Sequence, residues 1–212
     1  HASCQIIHFE TNAVRTAFNW VHGANANLPA DISLAWAQTV PKDFHARFSA
    51  VARRYRYVIY NDPVRPAHLA HEVTWNYRPL DIDLMRRAAE PLVGEHDFTS
   101  YRALACQAKS PVKRVHHLKL YEFGRFIVID IRSDAFLHHM VRNIAGVLMQ
   151  IGCGERPVSW AGEVLEARCR REGGLTAPPY GLYLVDVTYP ERFSLPERYM
   201  GPHFLAALNA LD

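Results

Sequence analysis

Arg53-Arg54-Tyr55-Arg56-Tyr57-Val58-Ile59-Tyr60 reads as a β-strand with two chemically different faces. Successive side chains on a strand point to opposite sides. Tyr55, Tyr57 and Ile59 therefore share one face, and Arg54, Arg56 and Val58 share the other. Alternating tyrosines are commonly half-buried sheet residues with their hydroxyls in water.

Downstream of this strand, Asp81 can cap a helix over 82–93, with Met85, Ala88, Ala89 and Leu92 as its inner stripe. Two strands follow near 114–122 and 125–133, separated by Phe123-Gly124. An amphipathic helix over 134–151 carries Phe136, Met140, Ile144, Val147 and Ile151 as its apolar stripe. Trp160 to Arg168 reads as a further helix, and Gly181 to Val187 as a strand closing the sheet. Upstream, residues 4–9 read as a strand, and Asn12 to His22 as a helix capped by Asn12. Residues 27–31 read as a turn and 32–40 as another strand. Residues 95–112 form a long connection whose composition does not look like core, and such segments are often functional. Hairpin strands with separate helices point to the α+β class, a mainly antiparallel sheet with helices packed on one face.

The chain has 212 residues, 49% hydrophobic and 21% charged, ordinary values for a globular protein. No apolar run reaches the roughly 20 residues that span a bilayer, so no membrane association is expected. The four cysteines, Cys4, Cys106, Cys153 and Cys169, form no CxxC pair, which argues for free thiols in a reducing cytoplasm. A net charge of +3 permits an RNA partner without demanding one. His1 in place of Met, with a strand-like run directly behind it, suggests a fragment or a chain whose front is missing.

Nucleotide-binding, zinc-protease and serine-hydrolase motifs are absent. The pairs His116-His117 and His138-His139 invite a metal reading. Neighbours on a strand point apart, and neighbours on a helix diverge by about 100°, so no metal site is expected. Asp43-Phe44-His45-Ala46-Arg47-Phe48-Ser49-Ala50 interleaves aromatics with a cation. That suits RNA, where arginine meets phosphate and aromatic faces stack on bases. It equally suits a surface loop anchored by two phenylalanines. Arg142 lies in an otherwise apolar helix, one turn after His138, where a charge is costly without a carboxylate or phosphate partner.

Six ordered blocks together resemble the tRNA pseudouridine synthase A family. They are His1 with Gln5 to Thr11, Asp43 to Ala50, Arg53 to Tyr57, Phe98 to Ser100, Phe136 to Ile144, and Ala177-Pro178 with Gly181 to Leu184. The resemblance runs from His1 to Gly201-Pro202 and implies the pseudouridine synthase fold. It implies an isomerase that converts uridine to pseudouridine in the anticodon stem-loop, at tRNA positions 38–40, as a cytoplasmic homodimer with no cofactor. By resemblance, Tyr55 stacks on the flipped uracil and assists proton transfer, Arg142 pairs with the nucleophilic aspartate, and Leu182 packs on the base. Arg15, Phe44, His45, Ala46, Arg47 and Phe48 match segments that touch tRNA, as do Ala105, Cys106, Gln107, Ala108 and Lys109. His1 looks like the last residue of the family's nucleophile motif, so the catalytic aspartate would precede it by four residues. The chain as given is then expected to be inactive alone. Residues 1–40 would be a remnant of the N-terminal catalytic domain (strand, helix, strand), and 41–212 the C-terminal domain with the base pocket and tRNA surface. The alternatives are a non-catalytic RNA-binding or dimerisation module, and a histidine-based metalloprotein.

Overall fold

The computed structural model describes residues 1–196 and 201–205. The tail of the expected second domain, 206–212, lies outside the described residues. Two compact units emerge. One comprises His1–Gln5, Val51–Thr188 and 201–205; the other comprises Ile6–Ala50 and 189–196.

The larger unit is built on six strands: β1 (Ala52–Asn61), β2 (Thr74–Asn76), β3 (Gly94–Asp97), β4 (Val112–Phe123), β5 (Phe126–Ser133) and β6 (Leu182–Thr188). β1 is the axis. One edge pairs antiparallel with β5, from Arg53↔Ser133 to Tyr60↔Phe126. Its other edge is shared, with β6 antiparallel along its first half and β2 parallel at Ile59 to Asn61. β4 and β3 continue the sheet beyond β5, both antiparallel. The sheet is thus mainly antiparallel, as the sequence pattern predicts. The β4–β5 hairpin turns at Gly124, whose φ of +58° suits a tight turn.

Helices α2 (Ile82–Ala89), α3 (Met140–Gly152) and α4 (Trp160–Ala167) cover one face. Tyr57, Ile59, Leu118, Leu120, Ile129 and Ile131 meet Met85, Ala88, Ile144, Val147, Leu148 and Ile151 in one core. Burying each large side chain contributes roughly 1.5–3 kcal/mol. Asp81 caps α2 as expected, its carboxylate accepting from the backbone N–H groups of Asp83 and Leu84. The chain beyond Ala89 tightens into a 3-10 turn over Glu90–Leu92, because Pro91 has no N–H for an α-helical bond.

The opposite face carries Arg54, Arg56, Asp130 and His117 among Val58, Val128, Tyr183 and Val185. Asp130 is fully buried. Arg54 grips it with both Nε, 2.7 Å, and a terminal nitrogen, 2.9 Å. Arg56 Nε donates at 2.8 Å and His117 Nε2 at 2.8 Å. Burial alone would push the Asp130 carboxyl up. Hydrogen bonds from His117, Arg54 and Arg56 outweigh it and hold the group well below the usual carboxylate range.

Several local expectations are corrected. The third helix begins at Met140, not at 134. Asp134 accepts instead from the backbone N–H groups of Arg114 and Ala135, and His139 takes a left-handed conformation. Residues 95–112 do contribute to the core. A 3-10 turn over Thr99–Tyr101 sets Phe98 and Tyr101 on one side, both fully buried. In the smaller unit, α1 (Ala17–Asn25) is capped by Thr16 rather than Asn12. Residues 32–40 form no strand. The Asn25 side chain bonds both the N–H and the C=O of Leu34, the groups that a ladder would use. Residues 4–9 form none either: Ile7 and Phe9, which a half-buried strand would cover, are exposed.

Gly181, with φ +82°, sits where β6 gives way to β2 along the edge of β1. A Cβ there would lie 2.3 Å from Val58 O and 2.9 Å from Thr74 N. Gly181→Ala is therefore expected to cost about 2–4 kcal/mol in urea unfolding. Gly124→Ala, where a Cβ meets nothing within 4 Å, should cost only about 1 kcal/mol. Equal losses would refute the steric argument. Asp130→Asn should cost about 3–5 kcal/mol at neutral pH by leaving buried cations uncompensated. A depressed carboxyl pKa stabilises the fold fully above the unfolded value of about 3.9, and that stability is lost as pH falls toward the lower folded value. Urea midpoints should therefore fall more steeply below about pH 5 in the parent protein than in Asp130→Asn.

Candidate active site

The helix-side face of β1 carries both tyrosines, and their surroundings separate their roles. Tyr57 is fully buried. Its hydroxyl lies 2.5 Å from Thr74 Oγ1 and donates to Pro178 O at 2.9 Å. Burial pushes its pKa far up, against the opposing effects of Thr74 and the Arg142 charge. Tyr57 is an anchor. Tyr55, one pleat earlier, is only half-buried, and its ring meets Phe136 edge-on at 4.9 Å. Burial raises the Tyr55 pKa more than nearby Arg53 lowers it, so the phenol stays neutral at physiological pH.

β6 adds the next part of the surface. Leu182 pairs with Tyr57 across the strands, and Leu184 with Tyr55, with a bulge between Arg54 and Tyr55. Directly opposed residues share a face. Leu182 and Tyr55 thus lie on the helix side, both half-buried and packed against the main core.

Arg142 stands in the first turn of α3. Its Nε donates to Ala177 O at 2.8 Å, and Ala177 N donates back to Arg142 O at 3.1 Å. One guanidinium donor is therefore satisfied within the chain, and the segment before β6 is fastened to α3. The Arg142 charge reaches both Tyr57 and His139. The rings of His138 and His139 lie 3.9 Å apart rather than diverging, because His139 has φ +61° and caps α3 outside helical geometry. Burial, then Arg142, His138 and Arg170, lower the His139 pKa, so its imidazole is neutral at neutral pH.

The connection at 102–109 leans over this helix start. Ala103 N donates to His138 O at 2.9 Å, and His138 N donates to Cys106 Sγ at 3.4 Å. Ala105, Gln107 and Lys109 face solvent, while Cys106 and Ala108 pack inward. Burial pushes the Cys106 thiol up. The backbone N–H groups of Ala108 and His138, with the charges of Arg102 and Lys113, more than offset this and hold it below its ordinary value.

The other expected residues belong to the smaller unit. Phe44 is buried there, its ring against Tyr189 and Phe193. Phe48 is 75% exposed, with the Arg47 guanidinium 5.6 Å from its ring centre and the His45 ring 4.4 Å away. His45 Nδ1 accepts from the N–H groups of Arg47 and Phe48, which places any ring proton on Nε2. The Ala46 carbonyl accepts from the Tyr189 hydroxyl at 2.6 Å. Arg15 lies over the Trp20 ring at 5.3 Å. Of the two phenylalanines, one holds the loop and the other is presented to solvent.

Sequence reasoning did not find the Tyr57–Thr74–Pro178 anchor, the Ala177 clasp on Arg142, or the role of Phe136 beside Tyr55. The first two end on the carbonyls of Pro178 and Ala177, and contacts to backbone leave no compositional trace.

A family model described as tRNA pseudouridine synthase matches residues 88–190. A tRNA pseudouridine synthase A of Pseudomonas aeruginosa is 71% identical over 208 residues, spanning 98% of this chain and 73% of the relative. That of Alcanivorax borkumensis is 56% identical over 205 residues, 97% of this chain and 77% of its own length. That of Coxiella burnetii is 53% identical over 205 residues, 97% and 78%.

The cysteine environments yield a direct chemical test. Burial raises the thiols of Cys4 and Cys153, whereas Cys106 is lowered. Iodoacetamide at pH 7.5 should modify Cys106 ahead of Cys4 and Cys153, as read by peptide mass spectrometry. Preferential labelling of Cys4 or Cys153 would contradict the local electrostatics.

Proposed function

Because this chain belongs to the tRNA pseudouridine synthase family, whose reaction is an isomerisation of uridine in tRNA, we propose that the surface formed by Tyr55, Leu182 and Arg142 is its uracil pocket. The observation that carries this reading is the placement of a half-open aromatic ring and an apolar side chain on one sheet face, with the Arg142 guanidinium, clasped by Ala177, near enough for its charge to act on Tyr57 of that face.

The reaction needs such a surface. The target base leaves its stack to reach an enzyme that acts on it. The C1′–N1 bond breaks, the uracil turns, and a C1′–C5 bond forms. A proton leaves C5 and one is taken up at N1, so substrate and product have the same composition. Tyr55 and Leu182 hold the detached ring by stacking and apolar contact, which need no fixed hydrogen-bond pattern and so permit rotation. Arg142 keeps the attacking carboxylate ionised by charge and hydrogen bonding. The resemblance assigns that carboxylate to the aspartate of the family's nucleophile motif. Asp130 is unsuited to the role, since it faces the far side of the sheet and is held by Arg54, Arg56 and His117. As a neutral phenol, Tyr55 is a proton donor rather than a base.

Arg47, Phe48, His45, Arg15 and the exposed Ala105, Gln107 and Lys109 are proposed to contact the tRNA through phosphates and stacked bases. Uridines in the anticodon arm as targets, a homodimer and a cytoplasmic location complete the reading and rest on the resemblance.

Two substitutions, made in protein that carries the motif aspartate, test the pocket with single-turnover pseudouridine formation on tRNA. Tyr55→Leu should slow the chemical step at least about a hundredfold, while Tyr55→Phe, which keeps the ring, should stay within about tenfold. Arg142→Lys keeps the charge but loses the Nε bond and the planar fork, and should also lose at least about a hundredfold. tRNA affinity should change less than about threefold in each. Full activity in Tyr55→Leu and Arg142→Lys would move the pocket elsewhere.

A further inference from the structure

The Ala177 clasp on Arg142 has a counterpart one residue away on both segments. The first turn of α3 and the segment 175–177 run side by side. Leu175 O lies against the α3 backbone at Gly146, where any Cβ would collide with it. Thr176 Oγ1 donates to Asn143 Oδ1 at 2.6 Å, and Ala177 O accepts from Arg142 Nε at 2.8 Å. Consecutive residues of the loop thus meet consecutive residues of the helix.

Asn143 is buried, 2% exposed, and its amide is held at both ends. Nδ2 donates to Tyr101 O at 2.7 Å, while Oδ1 accepts from Thr176 and from Arg170 Nη2, the latter at 3.2 Å. Arg170 Nη2 also donates to Thr176 Oγ1 at 3.0 Å, which closes a ring of side chains through Asn143, Arg170 and Thr176. Arg170 Nη1 bonds Gly173 O and Gly174 O, each at 3.1 Å, and so draws the rest of the loop to the same point. A carbonyl only accepts and a guanidinium only donates, so the Asn143 amide has one permitted orientation, and the Thr176 hydroxyl is its donor. Tyr101 is a fixed reference for this ring, because its side chain is fully buried and its hydroxyl donates to Ala161 O at 2.9 Å. An unbroken path of bonds therefore runs from the core at Tyr101 through Asn143, Thr176 and Ala177 to the Arg142 guanidinium.

The guanidinium is planar and carries its N–H donors in a fixed fork, so a bond at Nε restricts where the terminal nitrogens point. Ala177 O makes that bond, and Thr176, pinned by Asn143 and Arg170, leaves Ala177 little freedom to move. The backbone bond from Ala177 N to Arg142 O would tether the loop to α3 without engaging the guanidinium at all. We propose that Asn143, acting with Thr176 and Arg170, is a positioning residue for the isomerisation. It does not touch the uridine; it sets the direction in which Arg142 presents its terminal nitrogens to the attacking carboxylate. The inference rests on the reading of Arg142 as the partner of that carboxylate, and it adds the residues through which the core controls the arginine. Misplacing a reacting or charge-stabilising group by about 1 Å can slow a reaction about a hundredfold, so a loosened clasp has a kinetic signature.

The test uses protein that carries the motif aspartate and reads single-turnover pseudouridine formation beside tRNA affinity. Thr176→Val keeps the side-chain shape and removes the hydroxyl, whereas Thr176→Ser keeps the hydroxyl; the position is partly exposed, so both variants should fold. Thr176→Val should slow the chemical step about tenfold with tRNA affinity changed less than about twofold, and Thr176→Ser should stay within about twofold of the parent rate. Asn143→Ala should lose at least as much rate, together with some melting temperature; where it fails to fold, the Thr176 pair carries the test. The decisive measurement repeats Thr176→Val in an Arg142→Lys background, which has no Nε to be held. There it should cost less than about twofold, because residues that act through one group are not additive. A full tenfold loss in that background would make the ring a general structural element and overturn the proposal. A loss confined to tRNA affinity would overturn it as well. So would a parent-like rate in Thr176→Val beside a slow Arg142→Lys, an outcome that leaves the uracil pocket standing. Full activity in Arg142→Lys would instead overturn the pocket itself, and the positioning role with it.

Discussion

Asp130 has no exposed side-chain surface, yet it remains a carboxylate because β1 supplies Arg54 and Arg56 and β4 supplies His117. An ionised carboxylate removed from water is unfavourable by several kcal/mol unless such donors surround it. Those donors arrive only if β1, β5 and β4 hold one register. Slipping a strand by one residue would turn Asp130 to the helix side, among Ile129 and Ile131, and turn the tyrosines of β1 away from it. The polar network on one face thus enforces the aromatic surface on the other. Arg56 extends it by donating to Gly201 O at 3.0 Å, which brings the described end of the chain to the same sheet.

The two faces of β1 divide the labour that its alternation sets up. The arginine face locks register; the tyrosine face is split again by depth. Tyr57 lies under α3 with its hydroxyl bonded to chain on both sides, so it can contribute only rigidity. Tyr55 emerges from that cover beside Phe136. Successive residues of one strand face thus supply a rigid buried ring and an open one.

The segment from Arg170 to Leu182 links the parts of the proposed site. Arg170 gathers its own loop, Ala177 clasps Arg142, Pro178 receives the Tyr57 hydroxyl, and Gly181 brings the chain against Val58 before Leu182 enters β6. Gly146 on α3 permits the approach, since a Cβ there would sit 1.8 Å from Leu175 O. A helix, a strand edge and a loop therefore share their positional errors. In this way the surface proposed for the uracil, built from residues far apart in sequence, keeps its geometry.

By itself the sequence determined the α+β class, the two-faced character of β1, the β4–β5 hairpin at Gly124, the capped α2 and the family. Each depends on local periodicity, turn chemistry or a run of residue identities. It also marked Arg142 as a charge in need of a partner. Tertiary structure alone decided that Ala177 is one such partner, that Tyr55 rather than Tyr57 is open, and that Phe44 is buried while Phe48 is exposed. It also decided that Phe98 and Tyr101 are core, and that Asn25 occupies the backbone groups that a strand at 32–40 would need. The physical reason is common to all of these. Alternation and spacing report which side a residue faces, but burial and backbone partnership depend on which distant segment arrives there, and contacts to carbonyl and amide groups leave no signature in side-chain identity.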